Sequence, residues 1–238
     1  MTNRWVNGIG LTLATVVLAS CAATSAPNYS EVLTNTSRPE AERNIDAVRK
    51  PHEVMAFYEV KKGQRVADLY ASRGYYTAIL SQLVGTEGLV YSANPSPRQE
   101  LHDRVKQPSM ANVRVIDGPL ENLALPQDGS LDLVFIHLDY HELAANVRAA
   151  MNRRVFNALK RGGSYGIVDH AAAPGRGDQD AKTFHRIEKN LVIKDATAAG
   201  FRLEKEGSML SRADDTKDFS VTKLRDRSDR FVLKFVKP

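Results

Sequence analysis

Titratable side chains are concentrated at two points of the sequence, each directly after an apolar run with the length of a strand. His137, Asp139 and His141 follow the first run, and Asp169 and His170 follow the second. In open α/β sheets, ligands bind at the carboxyl ends of the strands. A His or Asp at such a place can remove a proton from an oxygen or nitrogen atom and make that atom nucleophilic. The sequence therefore predicts an acid–base site, with His141 as the base and Asp139 or His170 orienting it.

Two alternatives stay open for these residues. The same side chains would also suit a helix start near Glu142, where they would cap the helix and bond neighbouring loops. His137 and His141 are four residues apart, which is the spacing of two metal ligands on one helix face, but His137 is predicted to end a strand. Because the sequence has no HExxH motif and a single cysteine, no metal site is predicted.

The segments that carry these residues alternate between strand and helix patterns. Strands are predicted over Arg65–Leu69, Gly88–Ser92, Val113–Ile116, Leu131–Ile136, Tyr165–Val168, Arg202–Met209 and Phe231–Val236. Helices are predicted from the capping box of Ser37 and Glu40 to Arg49, across Val54–Tyr58, and over Gly74–Leu83, Pro97–Lys106, Glu142–Lys160 and Phe184–Ala199. This alternation indicates a doubly wound, mostly parallel, seven-stranded α/β sheet. The last two strands have no helix between them, so an antiparallel edge pair is expected.

Three longer segments match the pattern of one enzyme fold. They are Val66–Thr77, which runs from a strand through a turn into a helix, Ser130–Phe135, and Leu159–Asp169 with its pair of glycines. In this order they resemble the signature segments of class I S-adenosylmethionine-dependent methyltransferases. Four shorter strings resemble a group of bacterial methyltransferases that often carry export signals: Arg49–Pro51, Asp139–His141, Val168–His170 and Ser228–Phe231. The resemblance covers residues 38–238 and implies S-adenosylmethionine as cofactor and in-line methyl transfer to a small or peptidic acceptor.

The resemblance also implies five cofactor-binding residues: Asp68, Tyr70, Gly74, Asn94 and Asp117. The family has a glycine-rich loop here, because the backbone turns tightly and passes close to the ligand. In this chain Tyr70 stands at the first glycine, Ala71, Ser72 and Arg73 complete the loop, and only Gly74 remains. Asn94 stands where the family has an acidic residue that accepts from the ribose hydroxyls, and Asp117 where it contacts adenine. A second function therefore stays open, that of a non-catalytic protein of this fold that binds a partner in the cell envelope.

The N-terminus has the pattern of an export signal. Arg4 precedes an apolar stretch over residues 9–19, and Leu18-Ala19-Ser20-Cys21 contains the only cysteine of the chain. The stretch is too short to span a bilayer of about 30 Å. The tetrapeptide resembles the lipobox of bacterial lipoproteins, in which the cysteine is lipidated and becomes the mature N-terminus. An ordinary secretory signal, cut after Ala22 or Ala23, is the alternative.

These patterns divide the chain into a signal peptide (1–20), a flexible tether (21–37) and a methyltransferase-like domain (38–238). The expected location is the periplasmic side of the envelope, with Ala22 after the cysteine favouring the outer membrane. The single cysteine excludes internal disulfides, and the net charge of +5 is spread along the chain, so no nucleic acid partner is expected. The expected partners are the membrane, through a lipidated Cys21, and an unknown small-molecule or protein acceptor.

Overall fold

The computed structural model describes residues 1–2, 29–34, 38–224 and 227–238, and contains one seven-stranded sheet. Its strands are β1 (Arg65–Leu69), β2 (Leu89–Asn94), β3 (Val113–Asp117), β4 (Leu131–His137), β5 (Leu159–His170), β6 (Arg202–Gly207) and β7 (Arg230–Val236). The strand order is β3-β2-β1-β4-β5-β7-β6, and only β7 runs antiparallel to its neighbours, β5 and β6. The predicted doubly wound sheet with an antiparallel C-terminal pair is therefore confirmed.

Eight helices in the described residues accompany the sheet. They are α1 (Tyr29–Thr34), α2 (Glu40–Arg43), α3 (Asp46–Arg49), α4 (Pro51–Phe57), α5 (Tyr75–Val84), α6 (Gln99–Arg104), α7 (Ala145–Ala158) and α8 (Lys189–Ala198). Short 3₁₀ turns occupy Pro108–Met110, Leu120–Asn122 and Tyr140–Glu142. Within the part of the chain that the structure describes, no helix has the length and hydropathy needed to cross a bilayer.

The core consists of two apolar layers, one on each face of the sheet. Along β4, alternate side chains point to opposite faces, as strand geometry requires. Val134 and Ile136 pack in one layer with Met151 of α7, whereas Leu133 and Phe135 pack in the other layer with residues of α4 and α5. Because both faces of β4 are covered, the strand reads as a continuous apolar run in the sequence.

The register of β4 and β5 brings the two titratable clusters together. These parallel strands pair Ile136 with Ile167 and His137 with Val168. The residues that follow each strand therefore leave the sheet side by side at one edge. This adjacency follows from the strand order, and it places Asp139, His141 and Asp169 in one neighbourhood.

Several element boundaries differ from the sequence prediction. The predicted first helix is two short helices, α2 and α3, and Ser37 of its capping box lies outside the described residues. The helix predicted from Phe184 begins only at Lys189, because Ile187 forms a parallel bridge with Ala171 and extends the ladder beyond β5. The helix predicted from Glu142 begins at Ala145, since Glu142 belongs to a 3₁₀ turn.

The predicted N-terminal segments lie only partly within the described residues. Cys21 and the apolar stretch of the predicted signal lie outside the described residues. Tyr29–Thr34, within the predicted tether, forms helix α1, and the Tyr29 hydroxyl donates a 2.9 Å hydrogen bond to the carbonyl of Val60. Six residues of the predicted tether are therefore helical and contact the domain, and the division into signal peptide, tether and domain stays a prediction.

Candidate active site

A cleft with two connected lobes lies along the carboxyl ends of β1, β4 and β5. The β1 lobe, of about 430 Å³, is lined by Asp68 and Tyr76. The β4 lobe, of about 510 Å³, is lined by His141 and His185. Seven residues line both lobes: Ile45, Arg49, Tyr70, Ser72, Arg98, His137 and Asp139. The lobes therefore meet at Tyr70, His137 and Asp139.

The loop after β1 keeps the left-handed backbone that glycine favours, although neither left-handed position before Gly74 is a glycine. Tyr70 has φ 55° and Ser72 has φ 53°. Asn94, at the end of β2, holds this turn: the Ser72 amide donates to Asn94 Oδ1 at 2.7 Å, and Asn94 Nδ2 donates to the Ser72 carbonyl at 3.1 Å. Asn94 is fully buried. Its amide thus braces the loop, which corrects the expectation that it faces a ligand's hydroxyl groups.

The exchange Ser72→Gly is expected to raise the free energy of unfolding by about 0.5–1 kcal/mol. A left-handed non-glycine residue costs about 1–2 kcal/mol, and the added chain entropy of glycine offsets about 0.4–1 kcal/mol of that gain. Ala71 is the matched control, since it is buried in the same loop without a positive φ, and Ala71→Gly should lower stability by about 1–2 kcal/mol. Urea unfolding measures both variants, and equal losses in the two would contradict strain at Ser72.

Asp68, the penultimate residue of β1, is a buried carboxyl group that lines the β1 lobe. Thr77 Oγ1 donates to it at 2.6 Å and also bonds Ser92 Oγ at 2.7 Å. Burial raises the pKa of Asp68 to about 7, although the hydrogen bonds from Thr77 and the charge of Arg49 act in the opposite direction. A cation bound in this lobe would favour the ionised form of the carboxyl group.

Three buried polar atoms of the cleft have no hydrogen-bond partner among the described residues. They are Nε2 of His137, the hydroxyl of Tyr76 and Nε of Arg230. The rings of His137 and Tyr76 lie against each other, with centroids 4.5 Å apart. A buried polar group without a partner costs about 1–3 kcal/mol. These atoms are therefore suited to bond a molecule that enters the cleft.

His137 is expected to make the protein sensitive to acid. Burial, and then the positive charges of Arg49 and Arg230, hold its pKa well below the usual range. Below about pH 6.5 this histidine is protonated in the unfolded chain but neutral in the folded protein. The free energy of unfolding therefore falls as the pH is lowered, with a limiting slope of about 1.4 kcal/mol per pH unit. Because the unfolded histidine is already half protonated at pH 6.5, the unfolding free energy of wild type relative to His137→Asn should fall by about 1 kcal/mol between pH 6.5 and 5.5, as measured by urea denaturation. A difference that stays constant with pH would contradict a neutral His137.

Asp139 presents an unengaged carboxyl group at the junction of the two lobes. It precedes the 3₁₀ turn Tyr140–Glu142 without capping it, and in the described part of the chain no group donates a hydrogen bond to its side chain. Burial, and then the negative charge of Asp169, raise its pKa to about 7. The turn itself is anchored on α7, where Asn152 Nδ2 donates to the Tyr140 hydroxyl at 2.9 Å.

His141 is held by carboxyl groups on both sides of its ring. Asp169 bonds its Nδ1 at 2.8 Å and accepts from its backbone amide at 2.7 Å, and Glu142 Oε1 lies 3.1 Å from its Nε2. These neighbours raise the pKa of His141 although burial opposes them. His141 is thus oriented by Asp169, in place of the predicted Asp139 or His170. The Nδ1 of His170 bonds Ser228 Oγ at 2.8 Å instead.

Glu142 lies between His141 and His185, a histidine from a distant loop. His185 Nδ1 lies 2.6 Å from Glu142 Oε1, the same oxygen that faces His141. These hydrogen bonds and the positive charges of the two rings and Lys182 lower the pKa of Glu142, although burial opposes them. The rings of His141 and His185 meet edge to face, with centroids 5.6 Å apart.

The remaining predicted site residues have other roles. Asp117 bonds His102 Nε2 at 2.6 Å and does not line either lobe. Gly74, with φ 83°, precedes α5, and a Cβ there would lie 2.8 Å from Leu101 Cδ1. The alternative that His137 and His141 share a helix face is wrong, because His137 ends β4 and His141 lies in the 3₁₀ turn.

Sequence reasoning missed four residues that line the cleft: Arg49, Arg98, His185 and Arg230. The guanidinium of Arg49 lies over the Tyr75 ring, 4.3 Å from its centroid. Arg49 and Arg230 belong to strings that carry the family resemblance, which is the signal that could have identified them. His185 and Arg98 have no comparable signal.

No family model matches this chain. A ubiquinone/menaquinone biosynthesis C-methyltransferase, UbiE, from Serratia proteamaculans is 31% identical over 147 residues, which are 57% of this chain and 56% of that protein. The UbiE of Yersinia pestis is 30% identical over 156 residues, which are 61% of this chain and 60% of that protein. The chain thus spans well under two thirds of the length of these relatives.

Solved structures share the fold over most of the chain. A SAM-dependent methyltransferase from Aquifex aeolicus has a TM-score of 0.63 and 18% identity, covering 89% of this chain and 99% of that protein. The cyclase SpnF has a TM-score of 0.62 and 15% identity, covering 86% of both chains. The fold is therefore that of class I methyltransferases, and it is also the fold of an enzyme named for a different reaction.

Proposed function

We propose that this chain transfers a methyl group from S-adenosylmethionine to an acceptor bound in the β4 lobe. The observation that carries the proposal is the two-lobed cleft, which joins a β1 lobe to a β4 lobe at His137 and Asp139. Further support comes from the partial relatives, which are named C-methyltransferases. The β1 lobe keeps about 430 Å³ although Tyr70 stands in its loop, so the space for a cofactor is retained.

The β1 lobe suits the amino-acid end of S-adenosylmethionine better than its ribose end. That end carries an ammonium, a carboxylate and a neighbouring sulfonium. Asp68 offers an anion, Arg49 a cation, and the buried Tyr76 an aromatic ring with an unpartnered hydroxyl. At the ribose end, β2 finishes with Asn94, whose amide is already bonded to Ser72. We expect the binding energy to come chiefly from the amino-acid end.

The residues at the junction would prepare the acceptor. When bound, the cofactor supplies an electrophilic methyl group. Asp139 would take the proton from the acceptor's oxygen or nitrogen atom, because its carboxyl group is unengaged and lines both lobes. His137 would stay neutral and bond the acceptor through its unpartnered Nε2. His141 is less suited to be the base in this arrangement, since both its ring nitrogens face carboxyl groups.

A transfer assay that needs no known acceptor tests the proposal. The purified full-length chain is incubated with S-adenosylmethionine tritiated in its methyl group and with a cell-envelope extract. The expected result is label in an acceptor fraction, at a rate proportional to the amount of protein. A protein that binds the cofactor but transfers no label above the extract alone would contradict methyl transfer.

A second candidate function is binding of an envelope partner without catalysis. The observation that favours it is the engagement of Asn94, which leaves β2 without an acceptor for a ribose. A protein of this kind would retain the cleft but would neither bind the cofactor nor transfer its label. The cofactor-binding measurement therefore separates the two candidates.

We propose further that the chain is exported and anchored by a lipid on Cys21, on the periplasmic side and with the outer membrane favoured. Support comes from Arg4, the apolar residues 9–19 and the position of the only cysteine. Firm attachment would need more than one acyl chain, because a single chain binds membranes only marginally.

The exchange Cys21→Ser is expected to move most of the protein from the membrane fraction to the soluble fraction. The thiol is the only group in the chain that the lipid could modify as a thioether, so its loss removes the anchor. Fractionation of cells followed by immunodetection measures the change, and Ser20→Ala, which keeps a small residue beside the cysteine, is the control. Unchanged fractionation of Cys21→Ser would contradict lipidation.

A further inference from the structure

We propose that His141, Glu142 and His185 bind one divalent transition-metal ion at the wall of the β4 lobe. One ligand atom from each of the three lies within 4.8 Å of the other two. Oε1 of Glu142 is 3.1 Å from His141 Nε2 and 2.6 Å from His185 Nδ1. Small side-chain rotations would open these distances to admit an ion with bonds of about 2.0–2.2 Å.

The contact with Asp169 makes Nε2 the nitrogen of His141 that would coordinate an ion. Asp169 bonds Nδ1 at 2.8 Å, and an ionised carboxylate only accepts, so Nδ1 carries the proton. Binding of an ion would displace the proton that Nε2 shares with Glu142, and the lone pair of Nε2 would then point toward the same carboxylate. Since His185 Nδ1 approaches the same oxygen, two imidazole nitrogens converge on one carboxylate. A metal ion bound by all three groups would have two imidazole nitrogens and one carboxylate oxygen as ligands, a set found in protein metal sites.

Asp169 supplies the outer contact that is typical of metal-bound histidine. It is fully buried and also accepts from the backbone amides of His141 and His170, each at 2.7 Å. These bonds fix the ring orientation and the tautomer of His141, as carboxylates behind metal ligands do. Asp169 would therefore be a positioning residue of the site.

His185 is held towards Glu142 by an anchored loop. Its φ of 56° is left-handed, and a non-glycine residue keeps such a conformation only where its surroundings enforce it. The next residue, Arg186, makes a fully buried bidentate pair with Asp215 at 2.7 and 3.1 Å, and Ile187 bridges the sheet at Ala171. The position of His185 is thus set before any ion binds.

The ligand set indicates zinc with an open coordination position. Two histidines and one glutamate are the protein ligands of a class of catalytic zinc sites, in which a water or substrate takes the fourth place. His141 is buried, whereas the side chains of Glu142 and His185 are 28% and 31% exposed and line the β4 lobe. The open position would face a bound molecule that has an oxygen or nitrogen atom able to coordinate the ion. The site stands on its own geometry and does not depend on methyl transfer.

The test uses Co²⁺ as a spectroscopic probe on metal-free, tag-free full-length protein. We expect one equivalent to bind with visible absorption bands of low-coordinate Co²⁺ and to be displaced by Zn²⁺. His185→Gln and Glu142→Gln should each weaken binding by at least about 100-fold, and Asp169→Asn by about 10- to 100-fold. His102→Gln, which changes a histidine outside the cleft, is the matched control and should bind as wild type does.

Two outcomes would overturn the site. One is equal Co²⁺ binding by wild type, His185→Gln and Glu142→Gln, and the other is no binding by wild type at millimolar Co²⁺. Each variant's thermal unfolding midpoint is measured first, and His185→Gln should fold because its side chain is partly exposed. No S-adenosylmethionine is present, so a failure of the metal site and a failure of methyl transfer are separate results.

Discussion

The exchange Asp139→Asn is expected to lower the rate of methyl transfer by about 10²- to 10⁴-fold, the range that a positioned general base contributes. The amide keeps the size of the side chain but cannot accept the proton of the acceptor. Asp139 is the carboxyl group that lines both lobes and is engaged by no described group. Initial rates of tritium transfer at saturating cofactor measure the effect.

Two comparisons make the result for Asp139 specific. Asp103→Asn, on α6 and outside both lobes, should transfer at the wild-type rate. His141→Gln separates the two candidate bases. If Asp139→Asn stays within about twofold of wild type while His141→Gln loses the activity, the base is His141, as the sequence predicts, and the role proposed for Asp139 is wrong.

The exchange Asp68→Asn is expected to weaken S-adenosylmethionine binding by about 10- to 100-fold, which corresponds to a lost charge-assisted hydrogen bond. Asn can still accept the bond from Thr77, so the fold should persist. Isothermal titration calorimetry measures the affinity. Asp128→Asn is the control, because Asp128 is an exposed carboxyl group before β4 that lines neither lobe.

The same contact predicts a dependence on pH. The pKa of Asp68 is about 7, so the ionised fraction rises between pH 6 and 7.5. Because a cationic ligand binds the ionised form, wild-type affinity should rise several-fold over this interval. In Asp68→Asn the rise should be absent. A variant that keeps both the affinity and the pH dependence of wild type would contradict a direct contact between Asp68 and the cofactor.

The fold was predictable because its signals are local. The strand Arg65–Leu69 has the bounds that the apolar pattern predicts, and the buried run of β4 reads as a strand from composition alone. The predicted helix boundaries are wrong where tertiary contacts override the local sequence pattern. The sequence pattern predicts a helix from Phe184, but Ile187 bridges Ala171, and the helix begins only at Lys189.

The candidate site was predictable only where strand order determines it. Asp139 and His141 follow β4, and Asp169 lies at the carboxyl end of the adjacent β5, so their proximity follows from the doubly wound topology. The sequence does not show which group orients His141. The hydrogen bond between Asp169 and His141 Nδ1 depends on side-chain conformations that the sequence pattern does not specify. His185 lies 43 residues from Glu142, on a loop fixed by buried long-range contacts that leave no pattern in the sequence.

The glycine loop gives the clearest difference between pattern and structure. The sequence has Tyr70 at the family's first loop glycine and keeps only Gly74 of that loop. The backbone has left-handed φ at Tyr70 and Ser72, and two hydrogen bonds between the Asn94 side chain and the Ser72 backbone stabilise it. The turn is thus intact despite the lost glycines, and the Asn94 side chain is engaged with Ser72.

Calorimetric titration of S-adenosylmethionine into the purified full-length chain tests whether the β1 lobe binds this ligand. We predict one site with a dissociation constant of about 1–100 μM at pH 7.5, in the range common for enzyme substrates. A ligand concentration 100 times that constant should also stabilise the fold by about 2.7 kcal/mol. If millimolar ligand produces neither a heat of binding nor a thermal shift, the β1 lobe does not bind S-adenosylmethionine.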